Sequence, residues 1–178
     1  MKRLLLAFLI IVVSLLDGWL KCIAINTFPD ESTATLHPIL SLALHRNPGI
    51  AFDIPIPLWF IAPLTIVVIA LLVERAVRLR KTIPIVSLAL LSVILGANNN
   101  LVDRLINGFT TDYLILFRTS AINLSDVLIL LGSFTIVMYT ERNPHALRNL
   151  IQDSPSWYGI IPRAFRSLVR FIRNPRHR

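Results

Sequence analysis

The chain has 178 residues, 54% of them hydrophobic, and a mean hydropathy of +0.67, more apolar than an ordinary soluble domain and suited to a small bundle of membrane spans. It carries 18 Lys and Arg against 10 Asp and Glu; these cations flank apolar runs and fill the C-terminal tail, which fits positive-inside topology and anionic headgroups and argues against nucleic acid. The one cysteine, Cys22, excludes an intrachain disulfide framework and a cysteine-based zinc site, and within its apolar run it is expected to be a small buried hydrophobe.

Lys2 and Arg3 precede the apolar run from Leu4 to Leu16. A basic start and a run of this length match a secretory signal; the rival reading is a retained span over about 4–25. Asp17 and Lys21 lie four apart and share a face of such a helix. They pair at its outer end or point into a bundle, unless Lys21 simply snorkels to the headgroups.

Residues 26–57 mix Pro29, Pro38, Pro48, Pro55 and Pro57 with charged residues and sustain no helical period. Pieces such as Ile39–Leu44 alternate as short strands on a membrane surface would. His37 and His45 lack metal-binding spacing and are read as solvated loop histidines. A second span covers 58–73, with Trp59 anchoring its outer end, and the basic loop Glu74–Lys81 marks the cytoplasmic side.

Pro84 opens a third span over 83–101, which ends in Asn98, Asn99 and Asn100. A fourth covers 124–140, its first turn supplied by Asn123 to Asp126. Four spans bring both termini to the cytoplasmic face and leave Asp103, Asp112 and Asp126 on the outer one. After 143, Ile160, Phe165, Leu168 and Ile172 alternate with Arg163, Arg166, Arg170 and Arg173, which predicts an interfacial amphipathic helix on the inner leaflet. The expected fold is an all-α membrane protein of four transmembrane helices in residues 1–142. A small extracytoplasmic β-containing loop region and a basic amphipathic tail over 143–178 complete it.

The stretch Leu95–Asp126 gathers Asp103, Asp112, Asp126, Arg104 and several asparagines between two apolar spans. A polar cluster at the mouth of a membrane bundle is costly to keep there without a use. With no glycine-rich phosphate loop, no GxSxG, no Cys–His pair and no histidine near the cluster, carboxylates are left to do chemistry. Two carboxylates held close share a proton near neutral pH. The ionised one then serves as general base on water, and the protonated one donates to the carbonyl of a scissile amide. Each aspartate also has an ordinary structural use: Asp103 as a cap or ion pair, Asp112 in a turn, Asp126 opening a helix. The residues by themselves leave the working pair open.

The ordered motifs resemble the lipoprotein signal peptidase (signal peptidase II) family of membrane aspartic peptidases. Asp17-Gly18-Trp19-Leu20-Lys21 resembles its D-x-x-x-K, and Asn47-Pro48-Gly49-Ile50-Ala51-Phe52 its N-T-G-A-A-F. Asn99-Asn100-Leu101-Val102-Asp103-Arg104 resembles G-N-x-x-D-R, Thr110-Thr111-Asp112-Tyr113 resembles V-V-D-F, and Ile122-Asn123-Leu124-Ser125-Asp126 resembles F-N-x-A-D. The resemblance implies that Asp112 and Asp126 are the catalytic dyad. Asp17, Lys21, Asn47, Gly49, Asn100, Asp103, Arg104 and Asn123 would shape or support the site, and the first span would be retained.

It also implies a monomer in the bacterial cytoplasmic membrane that cuts diacylglyceryl-modified prolipoproteins before the lipidated cysteine, at the outer leaflet and among membrane phospholipid. No metal or organic cofactor is implied. Asn99 stands where the family has Gly, Ser125 where it has Ala, Pro48 where it has Thr, and Thr110-Thr111 where it has two valines, and the 113–125 connection is short. Asn99 is expected to widen or reshape the pocket. Two other readings are an inactive paralogue that binds lipoproteins or lipids and a small transporter using its carboxylates as a proton relay.

Overall fold

The computed structural model describes residues 1–35, 37–49 and 54–143. In chain order the elements are α1 (Lys2–Thr27), β1 (Leu40–Asn47), α2 (Leu58–Leu79), α3 (Pro84–Asn107), β2 (Thr110–Leu116), β3 (Ser120–Ile122) and α4 (Leu124–Arg142). One compact unit, Met1–Met138, holds the contacts described below. The amphipathic tail expected over 143–178 lies, beyond residue 143, outside the described residues.

Among the described residues four helices are long and apolar enough to cross a membrane. Their outward faces expose Leu5, Phe8, Leu64, Val67, Leu130 and Phe134, a surface suited to lipid and far too apolar for a soluble monomer. Helix α3 is the central one, burying Val86, Ala89, Leu90, Ile94 and Leu101. Its approach to α4 depends on two glycines. A Cβ at Gly96 would stand 2.5 Å from the Ser125 carbonyl oxygen, and one at Gly132 would stand 2.6 Å from that of Ala89. Small residues of this kind let membrane helices close on each other, and Ser92 Oγ donates across the seam to the Leu128 carbonyl at 2.8 Å.

All four helices outrun the spans expected for them, α2 and α3 by the most. Helix α2 continues past 73 to Leu79, because charged residues leaving the apolar layer still favour helix; Arg78 and Glu74 pair at 2.6 Å one turn apart. Helix α3 continues past 101 to Asn107. Asn99 and Asn100 do not break it, since their amides find partners across the bundle instead of competing for the local backbone. Gly108, at φ 81°, ends it by donating its N–H to the Arg104 carbonyl. Cys22 is exposed, not buried. The inner face of α1 is taken by Ser14, Asp17, Lys21 and Ala24, and Cys22 falls off that stripe.

The sheet is antiparallel in the order β1-β2-β3. The strand foreseen at 39–44 forms as Leu40–Asn47, whereas β2 and β3 arise where none was expected. The β2 segment TTDYLIL is buried along most of its length and lacks the alternation that announces a half-buried strand. Leu42 pairs with Leu114, but His45 pairs with Asp112, so β1 carries one extra residue, a β-bulge. Leu44 in the bulge turns its backbone to the preceding loop, donating to the Pro29 carbonyl at 2.8 Å and accepting from Glu31 N at 3.0 Å. The bulge thereby sets His45, and not Leu44, opposite Asp112.

Candidate active site

The site forms where β2 and the N-terminus of α4 meet the C-terminal halves of α1 and α3. Asn123 caps α4: its Oδ1 accepts from Asp126 N at 3.0 Å, and Asp126 Oδ2 accepts in return from Asn123 N at 3.2 Å. This reciprocal pair is a capping box with a carboxylate at its third position. It fixes Asp126 in the first turn, as the sequence suggested. The other Asp126 oxygen accepts from Asn100 Nδ2 at 2.9 Å.

Asp112 sits in β2, not in a turn, and is 2% exposed. Asn123 Nδ2 donates to its Oδ1 at 2.6 Å, and Asn47 Nδ2 to its Oδ2 at 3.4 Å. Burial, and then the neighbouring charge of Asp126, push the Asp112 carboxyl up to about 7. Asp112 and Asp126 line one cavity of about 620 Å³ together with His45, Asn47, Asn100 and Arg104.

A buried ionic hub stands behind Asn100. Lys21 Nζ donates to Asn100 Oδ1 at 2.6 Å and lies 3.3 Å from both Asp17 Oδ2 and Asp103 Oδ2. Lys21 therefore points into the bundle and does not snorkel. Its charge fixes which way the Asn100 amide faces, leaving Nδ2 for Asp126. Asp103 Oδ2 accepts from Thr111 N at 2.6 Å and its Oδ1 from Thr111 Oγ1 at 3.1 Å, which ties α3 to the residue preceding Asp112. Arg104 turns to the loop after β1, donating from Nη2 to the Gly49 carbonyl at 2.9 Å. Gly49 N in turn donates to Asn47 Oδ1 at 2.9 Å, orienting the amide that reaches Asp112. A Cβ at Gly49 would collide with the Ile54 carbonyl.

Asp17 is fully buried and gathers hydrogen bonds from α3, α4 and β2 away from the cavity. Tyr113 OH donates to its Oδ1 at 2.9 Å, and Ser125 donates to it twice, from N at 3.2 Å and from Oγ at 2.6 Å. Asn99 Nδ2 reaches the Ser14 carbonyl at 2.8 Å and Asp17 Oδ2 at 3.5 Å. Asn99 thus faces α1, and the reshaped pocket expected of it is not what this side chain does. All ten residues singled out in the sequence fall within this one network. His45 was missed: it lines the cavity, with Nδ1 2.6 Å from Glu31 Oε2. Only the bulge brings it there, and no sequence pattern announced the bulge. Among the described residues no cluster of three His, Cys, Asp or Glu forms that suits a metal ion.

Membrane-length helices enclosing a cavity edged by one buried and one half-buried acid define a membrane-embedded protein with a carboxylate site. Residues 9–141 match the family described as Signal peptidase (SPase) II, and the chain belongs to that family of aspartic peptidases. The lipoprotein signal peptidase of Shigella boydii serotype 4 (strain Sb227) is 31% identical over 139 residues, 73% of this chain and 85% of that protein. That of Brevibacillus brevis (strain 47) is 34% identical over 125 residues, 68% of this chain and 84% of that one. A solved bacterial membrane enzyme has the same fold, with a TM-score of 0.70 at 21% identity, over 80% of this chain and 89% of its own. The protein is accordingly a membrane peptidase of the signal peptidase II type.

Proposed function

We propose that Asp112 and Asp126 are the catalytic dyad of this peptidase, and that it cuts diacylglyceryl-modified prolipoproteins before the lipidated cysteine. The observation that carries the reading is the shared cavity: both acids line it, and one asparagine, Asn123, touches both. The pair shares one proton; carried by Asp112, whose carboxyl burial and its neighbour raise to about 7, it leaves Asp126 ionised. Asp126 is the base. It removes a proton from water, whose oxygen bonds to the scissile carbonyl carbon, while the Asp112 proton passes to the carbonyl oxygen. When the tetrahedral species collapses, the C–N bond breaks, the leaving nitrogen takes the proton held by Asp126, and Asp112 recovers its own.

The cavity continues past the acids along Thr65, Ala97, Ile129 and Ser133, a lining of small and apolar side chains that suits an apolar signal helix. Basic residues at both ends of the chain and around 74–81 support a topology with cytoplasmic termini and the site in the outer leaflet. Residues 1–142 act as the peptidase domain, with the basic tail on the cytoplasmic side. The purified protein, assayed in detergent on prolipoprotein with and without the diacylglyceryl group, should release the signal peptide from the modified form. Equal cleavage of both forms would remove the lipid from the reading.

A further inference from the structure

Two threonines precede Asp112, and the fold treats them differently. The Thr111 hydroxyl and N–H both donate to Asp103. Thr110 is only 2% exposed, and its Oγ is the one buried side-chain polar atom among the described residues without a hydrogen-bond partner. A buried hydroxyl left unpaired costs stability and asks for an explanation. Thr110 also lines the cavity that Asp112 and Asp126 line, and it pairs in register with Asn47, the residue whose amide reaches Asp112.

We infer that the Thr110 hydroxyl is a substrate-binding group of the peptidase site, completing its hydrogen bond with a backbone amide group of the bound peptide; this rests on the dyad reading given above. Thr110 and Asp112 are two apart on β2 and present to the same face. At about 3.3–3.4 Å per residue that separation is roughly 7 Å, which is also the two-residue repeat of an extended peptide. A substrate segment lying along β2 with its scissile bond at Asp112 brings a main-chain group two residues away to Thr110. A hydroxyl suits this role because it donates or accepts as required and reads no side chain.

The test compares Thr110→Val, which keeps the shape and removes the hydroxyl, with Thr110→Ser, which keeps the hydroxyl. Both are measured for kcat and KM on lipid-modified prolipoprotein and for Tm in the same detergent. The valine variant should be at least as stable as the parent, since it removes an unpaired polar group, yet lose about tenfold in kcat/KM. The serine variant should stay within about twofold of the parent. Parent-like kcat/KM in Thr110→Val, an equal loss in both variants, or a drop in Tm that Thr110→Ser restores would each overturn the inference. Asp112→Asn in the same assay separates the two readings. If it cleaves at the parent rate, the dyad is wrong; if it is inactive while Thr110→Val is unaffected, only the role of Thr110 falls.

Discussion

Asn123 Nδ2 donates a 2.6 Å hydrogen bond to Asp112 Oδ1, joining the cap of a membrane-length helix to a strand acid eleven residues earlier in the chain. The same side chain accepts from the backbone of Asp126. One residue thus ties the two acids together while opening the fourth helix. Substitutions can separate the two duties. Asn123→Ser retains a good cap but cannot reach Asp112, so it should lower Tm less than Asn123→Ala does and lose up to about tenfold in kcat/KM, the worth of a hydrogen bond to the protonated acid. Asn123→Ala should lose similar activity and, in addition, about 1 kcal/mol of stability. Calorimetry and cleavage kinetics on both variants check this, and a serine variant with full activity would contradict it.

The elevated Asp112 carboxyl makes a stability prediction whose sign is fixed. Its folded value, about 7, lies above the usual carboxylate value near 4, so the folded state binds this proton more tightly. The resulting contribution to stability is present below about pH 4 and lost as pH rises through 7. Asp112→Asn has nothing to ionise. The Tm of the variant minus that of the parent should therefore be larger at pH 8.5 than at pH 5. A difference independent of pH, or one shrinking toward alkaline pH, would argue against an elevated Asp112.

Lys21 is 5% exposed and faces Asp17 and Asp103. Removing the cation leaves two buried carboxylates without it, the arrangement in which a broken buried pair is most costly. Lys21→Met should destabilise by about 3–5 kcal/mol, measured by thermal or chemical unfolding in detergent. A loss below about 1 kcal/mol would show that the aspartates find other partners.

The turn between β2 and β3 stores strain that can be relieved. Phe117 and Arg118 both have positive φ, 52° and 60°, and Thr119 N donates to the Leu116 carbonyl at 3.1 Å. Left-handed backbone costs an ordinary side chain about 1–2 kcal/mol, and asparagine carries it more cheaply. Phe117 is 67% exposed. Phe117→Asn should raise stability by roughly 1 kcal/mol in detergent; an unchanged or lower Tm would mean that the ring makes a compensating contact.

The apolar runs, and the charges at their ends, were enough to foresee four membrane-length helices, because hydropathy reports burial in lipid directly. The Asp17–Lys21 pair was equally legible, since four-residue spacing puts both on one helix face. What escaped was everything that depends on partners distant in sequence. Helix α3 runs on through Asn99 and Asn100 because Ser14, Lys21 and Asp126 satisfy their amides, and those contacts cannot be read locally. The β2 strand is buried by helices on which its own sequence is silent. The bulge that turns His45 toward Asp112 depends on the loop at Pro29–Glu31. Asn99 looked like a disturbance of the pocket; it serves Asp17 instead, as does Ser125.

The dyad itself has a direct test in the initial rate of signal-peptide release from lipid-modified prolipoprotein by Asp112→Asn and Asp126→Asn. Each substitution preserves shape and one accepting oxygen but places an NH2 where the acid accepts its second hydrogen bond, so Tm is measured beside the rate to show that the fold survives. The paired-acid mechanism predicts a loss of at least about 10²–10⁴-fold in kcat for either variant. No further comparable loss should follow in the double variant, because the two acids act as a unit. Cleavage by either single variant at the parent rate would contradict the account.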